Sequence, residues 1–235
     1  MSGILIFLAC LPSIILLIFI YKVDKFDKEP IGLLFKLFIF GLLTVIPAII
    51  LERVFLYMNF FKGPLGLLIE AFLIIGLIEE FLKRQAVKLA AYKSEEYDER
   101  LDGIIYCVVA SLGFATVENI MYVVQYTASS PYIWLMRALL SVPAHMLFGI
   151  TMGYFMSMSK FCSNPVLAKK YARNSLWVPV FFHGLYDFFA LSGNIFLSIL
   201  IIPLIIYMWI FNIKKLKTYY KESKITHSLK ISQNE

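Results

Sequence analysis

The stretch Leu65–Lys83, LGLLIEAFLIIGLIEEFLK, reads in two ways at once. Most of it is an apolar run suited to the hydrocarbon of a bilayer, yet it closes on two adjacent carboxylates and a lysine. A helix needs about 20 apolar residues to cross about 30 Å of hydrocarbon. Leu65–Leu82 meets that length nearly, and six more runs meet or approach it: Ser2–Tyr21, Ile31–Leu51, Leu101–Tyr126, Tyr132–Met158, Ser175–Leu191 and Asn194–Phe211. Between them, Glu29-Pro30, Gly63-Pro64, Ser129-Ser130-Pro131 and Ser192-Gly193-Asn194 carry turn and helix-start chemistry. The sequence therefore predicts an all-α fold, a polytopic transmembrane helical bundle of about seven transmembrane helices.

Composition agrees. The 235 residues are 60% hydrophobic and 16% charged, whereas soluble domains are about half apolar and a quarter charged. No polar stretch is long enough to fold around a core of its own. The expected organisation is one membrane domain, 1–212, followed by a basic cytoplasmic tail, 213–235. The net charge of +6 sits in short loops and in that tail, where it sets topology and meets anionic lipid rather than nucleic acid. Lysines and arginines crowd the first, third and fifth loops and the tail, against only Arg53, Lys62 and Arg137 on the other side. The positive-inside rule then predicts an outside N-terminus and a cytoplasmic C-terminus. The first run lacks a basic leader region and a small-residue cleavage site, so it reads as a retained helix. Cys10, Cys107 and Cys162 show no CxxC spacing and suggest neither a disulfide framework nor a zinc–thiolate site.

Four places break the apolar pattern. An ionised group at the bilayer centre costs about 2.5–3.5 kcal/mol, so Glu79, Glu80, Glu118 and Asp187 together would cost on the order of 10 kcal/mol in lipid. They need pairing, protonation or a hydrated cavity. On a helix Glu79 reaches Lys83 at i+4 and Glu80 reaches it at i+3. Adjacent residues diverge by about 100°, so one carboxylate is expected at the reaction centre and the other as its support. The bland alternative is a pair snorkelling to the cytoplasmic edge with Lys83 and Arg84. Glu118-Asn119 sets an acceptor beside two donors at one depth, for chemistry or as an interhelical clamp. His145 follows Pro143, whose missing N–H frees a carbonyl one turn earlier. His183 and Asp187, at i and i+4, share a face, and the carboxylate can fix the imidazole's tautomer. Counted from the ends of the apolar runs, Glu79, His145 and His183 fall about 8–11 Å from the cytoplasmic face, Asp187 near the middle and Glu118 nearer the outside.

These motifs, in this order, resemble the PrsW family of intramembrane proteases, which belongs with the CAAX-processing prenyl endopeptidases and the bacteriocin-immunity-type membrane proteases. The pattern Glu-Glu-x-x-Lys, Phe-x-x-x-Glu-Asn, a lone helical His and His-x-x-x-Asp falls on Glu79-Glu80-Lys83, Phe114-Glu118-Asn119, His145 and His183-Asp187. The Asp24–Pro30 segment, DKFDKEP, looks like the family's acidic-proline loop. Where this chain has Glu118, the prenyl endopeptidases carry a histidine. The resemblance implies a multi-pass protein of the bacterial cytoplasmic membrane. Its substrate would be a single-pass membrane protein, typically an anti-sigma factor, cut first in regulated intramembrane proteolysis under envelope stress.

Hydrolysis without a serine or cysteine nucleophile needs an activated water, a proton donor and an oxyanion stabiliser. Glu79 or Glu80, with His145, is the expected general base. His183 and Asn119 are the expected oxyanion stabilisers, with Asp187, Glu118 and Lys83 in support. This scheme requires no cofactor. A zinc ion on His145, His183 and Glu80 is the second scheme, ranked lower because the HExxH spacing is missing. The rival from another class is a proton- or cation-coupled transporter, since intramembrane carboxylates and histidines also build proton relays. Against it stand the absence of an inverted repeat and of paired broken helices.

Overall fold

The computed structural model describes residues 2–130 and 132–232, and among them every regular element is helical. Seven long helical segments follow the seven apolar runs. They are α1, Ser2–Val23; α2, Ile31–Tyr57, with a joint at Thr44; α3, residues 63–90; α4, Arg100–Tyr126; α5, Ile133–Lys160; α6, Pro165–Leu191; and α7, Ile195–Ser232. Five of them, α1, α2, α4, α5 and α7, are each long and apolar enough to cross a membrane. The other two, α3 and α6, carry Glu79, Glu80 and Lys83, and His183 and Asp187.

Local chemistry sets the breaks. Asn164 caps α6 by accepting from the backbone N–H groups of Val166 and Leu167, with Pro165 at the first helical position. At the start of α4, the Glu99 N–H donates to Asp102 Oδ2 at 2.8 Å, half of a reciprocal capping box. Gly63 and Gly193 take φ of +62° and +64° at the turns opening α3 and α7. Two stretches, Ile69–Gly76 in α3 and Arg137–Ser141 in α5, are π-helical, a wider winding often found beside functional sites.

Helix α4 forms the centre, packed against α1, α2 and α5. Small residues permit the approach: a Cβ on Gly153 of α5 would stand 2.1 Å from the Gly103 carbonyl oxygen, and one on Gly41 of α2 would stand 2.0 Å from that of Ala110. Helices run past the apolar stretches from which their ends were judged. α6 begins at Pro165, before the run that opens at Ser175, and α3 continues to Ala90. α7 stays helical through the basic segment to Ser232, where Lys230 meets Asp27 of the first loop at 2.9 Å.

Candidate active site

Lys83 is the hub. Its ammonium, with the residue 0% exposed, lies 2.9 Å from Glu79 Oε2, 2.8 Å from Glu80 Oε1 and 3.1 Å from His145 Nδ1. The Phe114 ring closes it off at 4.2 Å. Both glutamates therefore converge on one point. Both share the Lys83 ammonium one turn further along the helix, at i+4 and i+3.

Four helices meet around this hub. His183 of α6 places Nδ1 2.9 Å from Glu80 Oε1 and Nε2 3.3 Å from Asp187 Oδ2, and Phe148 stacks on its ring. The i, i+4 pair expected from sequence thus exists, at ion-pair distance and without the alignment of a hydrogen bond. His145 of α5 has Nε2 2.8 Å from Glu118 Oε2 of α4. With Lys83 on its other nitrogen, it is bonded at both ends by side chains, not to a carbonyl freed by Pro143. Asn119 is spent on structure: its Nδ2 donates to the Ala9 carbonyl at 2.7 Å and its Oδ1 accepts from Arg137 Nε at 2.8 Å. These two bonds prop the site and leave the second Nδ2 hydrogen of Asn119 unengaged.

Two residues were missed by the sequence reading. Arg137, counted there as a charge of an outer loop, is buried and donates to Glu118 Oε2 at 2.9 Å. The signal was present, since Arg137 lies inside the Tyr132–Met158 run, two helical turns before His145. Glu52, just past the end of the Ile31–Leu51 run, lines a cavity with Glu79, Glu118 and Asp187.

That cavity, about 220 Å³ between α2, α3, α4 and α6, is rich in carboxylates and reaches out past Tyr122, Gln125 and Tyr126. A second cavity of about 310 Å³, between α4, α5, α6 and α7, holds Arg137, Ser141, His145 and His183 against apolar Met136, Leu140, Phe148 and Ile201. Glu118 and Asp187 line both, so the two cavities meet at the charged cluster. Glu79 faces the first cavity, whereas Glu80 lines neither. The expected spread of depths is corrected: hydrogen bonds hold these groups at one level. Glu118 and His183 lie in the last third of α4 and of α6, toward Tyr126 and Leu191, where the fourth and sixth connections begin.

The donors suit a divalent ion. Glu79, Glu80 and His183 each offer an atom within 4.8 Å of the others', and Glu80 Oε2 is buried without a partner. Among the described residues, the carboxylates Glu52, Glu79, Glu80, Glu118 and Asp187 gather around two permanent cations, Lys83 and Arg137. The group of Glu79, Glu80 and His183 shares Glu80 and His183 with the set expected from sequence and has Glu79 in place of His145, whose two nitrogens face Lys83 and Glu118.

Comparison with known proteins fits this geometry. The model of a family described as PrsW family intramembrane metalloprotease matches residues 29–213. A relative named Protease PrsW from Clostridioides difficile is 35% identical over 94% of this chain and 93% of its own length. Proteins of the same name from Bacillus subtilis and Geobacillus kaustophilus are 34% and 37% identical, over 88% and 77% of this chain and 91% and 77% of their own lengths. No solved structure matches.

Proposed function

The chain belongs to the PrsW family of intramembrane proteases, and from that premise we propose which of its groups do the hydrolysis and on what substrate. It is a multi-pass membrane enzyme, and its relatives are bacterial. The observation that carries the reading is the contact of Glu79 with the polar cavity while Lys83 and His183 flank it. Glu79 is the general base: its carboxylate faces the space where water and a peptide carbonyl can stand, and Lys83 holds it in place. Glu80, buried between Lys83 and His183, positions the imidazole. His183 Nε2, beside Asp187, faces the bond, polarises its carbonyl and hands a proton to the leaving amine. Glu118 and His145 fix Lys83 from the far side, with Asn119 behind them.

A divalent ion held by Glu79, Glu80 and His183 would supply Lewis-acid polarisation of the carbonyl and a more acidic water. The carboxylate fork, the Lys83 charge and the dry wall of Phe114 and Phe148 serve either form of the chemistry.

The substrate is a single-pass membrane protein such as an anti-sigma factor, cut near the outer face of the membrane. Two features support that side. The cavities open toward the end bearing the even-numbered connections, and the basic residues crowd the opposite end. The test is reconstitution in vesicles with a single-pass anti-sigma substrate, the fragments mapped by mass spectrometry, with and without chelator. Glu79→Gln, Glu80→Gln and His183→Ala should each leave the substrate whole while inserting normally. Ordinary fragments from all three would end the assignment, and loss of cutting on chelation, restored by zinc, would establish the metal form.

A further inference from the structure

We propose that Arg137 is a positioning residue of the site: it holds Glu118 as a fixed carboxylate and thereby sets the tautomer of His145 and the seat of Lys83. The proposal rests on the hydrolase reading of the cluster but has a readout of its own.

Arg137 lies on the π-helical turn Arg137–Ser141 of α5 and is 8% exposed. Its guanidinium makes three contacts. Nη2 donates to Glu118 Oε2 at 2.9 Å, Nε donates to Asn119 Oδ1 at 2.8 Å, and the plane lies 4.1 Å from the Tyr122 ring centroid. Asn119 is anchored in turn to the Ala9 carbonyl, so the fork has a rigid backing. This is the geometry for which arginine, and not lysine, is suited: two donors in fixed relation and a flat face.

Glu118 Oε2 accepts from His145 Nε2 at the same time, at 2.8 Å. On the other side of that ring stands Lys83 Nζ, 3.1 Å from Nδ1. An ammonium only donates, so Nδ1 presents its lone pair, and Nε2 carries the proton and gives it to Glu118. Two opposite charges thus dictate one tautomer. Lys83, held by Nδ1, reaches both glutamates of the catalytic fork. Arg137 supplies the counter-charge without which Glu118, a part-buried carboxylate, has only the imidazole as partner. The line from Arg137 through Glu118, His145 and Lys83 to Glu79 and Glu80 is continuous and crosses three helices. Nothing else among the described residues offers Glu118 a permanent cation at ion-pair distance.

The experiment uses the full chain in lipid nanodiscs with 15N-labelled histidine, of which there are three. In the wild type, His145 should show the pattern of a neutral ring protonated at Nε2. Arg137→Met should abolish that pattern, and Arg137→Lys should keep it in part. In parallel, single-turnover cleavage should slow by about 100-fold in Arg137→Met, the order expected of a misplaced catalytic group, with KM changed by less than about threefold. Arg137→Lys should recover at least part of the rate. If Arg137→Met does not fold, Arg137→Met with Glu118→Gln, which removes both charges, should fold and still lack the His145 pattern. An unchanged His145 pattern with full turnover in Arg137→Met would overturn the proposal, as would a rise in KM alone. Normal cutting by Glu79→Gln and His183→Ala would instead overturn the hydrolase reading, and the histidine spectrum would still judge Arg137.

Discussion

Two groups of buried carboxylates sit toward opposite ends of α4, and they are made tolerable by different means. Near Glu118, three carboxylates of the candidate active site, Glu79, Glu80 and Glu118, meet Lys83 or Arg137 at ion-pair distance. Near Asp102, about 24 Å away along the helix, Asp24, Glu29, Glu99 and Asp102 have no lysine or arginine within 4 Å among the described residues. There the acids are held by neutral donors. The Glu29 N–H donates to Asp24 Oδ2 at 2.8 Å, the Glu99 N–H to Asp102 Oδ2 at 2.8 Å, and the Tyr106 hydroxyl to Glu29 Oε2. Burial pushes Glu29 up to about 7, with the Asp24 and Glu96 charges adding to it while Tyr106 and Asp102 oppose it. Burial likewise raises Asp24 and Glu99. The first cluster is ion-paired and borders cavities; in the second, burial raises the acids and neutral hydrogen bonds fasten the Asp24–Pro30 loop to the core. Buried acid alone therefore does not mark chemistry. What sets the candidate active site apart is permanent counter-charge beside two cavities.

The sharpest way to break this contrast is to remove the hub. Lys83→Met leaves Glu79 and Glu80 buried without their cation, and breaking such a pair costs about 3–5 kcal/mol. The expected result is a collapse in folded yield and thermal stability in detergent, partly reversed by adding Glu79→Gln. Asp102→Asn, which deletes an acid that has no cation to strand, should cost far less. Equal losses in the two variants would mean that the clusters do not differ in how they are neutralised.

How much of this was legible in the sequence depends on range. The helices were legible because hydrocarbon demands long apolar runs, and the pairings Glu79–Lys83, Glu80–Lys83 and His183–Asp187 because they repeat at i+3 and i+4. That the four motifs should meet in one pocket followed from their cost in lipid, but which atoms meet there was not legible. It depends on where α3 and α6 end beyond their apolar runs, which charge-rich flanks such as Pro165–Arg173 conceal. Arg137 and Glu52 were hidden by the same counting, since a charge near a span end reads as loop until a partner is known. Arg137 finds its partner 19 residues away on another helix. Asn119 shows the converse: its place in the motif is clear, but its partner, the Ala9 carbonyl, lies 110 residues off. The Asp24–Pro30 loop was visible only as a pattern, because Tyr106, which holds it, is 77 residues from Glu29.

The acid-storing end gives the second prediction, and its sign runs opposite to the usual carboxylate. Glu29 has a folded value of about 7 against an ordinary 4.5, so the native state binds the proton more tightly. The stability this provides is complete below about pH 4.5 and is lost as pH rises through about 7. Glu29→Gln should therefore flatten thermal stability between pH 5 and 8. It should leave the variant more stable than wild type at pH 8–9, with a higher melting midpoint. Parallel melting curves for the two proteins across that range would show that Glu29 enters the fold as an ordinary charged carboxylate.

The smallest effect sharpens the comparison most finely. Tyr106 is buried, and its hydroxyl is the side-chain donor that solvates Glu29. A hydrogen bond to a charged group contributes about 1.5–3 kcal/mol and one to a neutral group about 0.5–1.5 kcal/mol. The cost of Tyr106→Phe should therefore grow as Glu29 ionises, from about 1 kcal/mol at pH 5 to about 2 kcal/mol at pH 8. In a Glu29→Gln background that growth should vanish, because the amide stays neutral at every pH. A double-mutant cycle of unfolding midpoints at the two pH values measures this directly. A coupling energy that does not change with pH would mean that the hydroxyl meets the same form of Glu29 throughout, and the distinction between a neutrally hydrogen-bonded and an ion-paired end of α4 would fall with it.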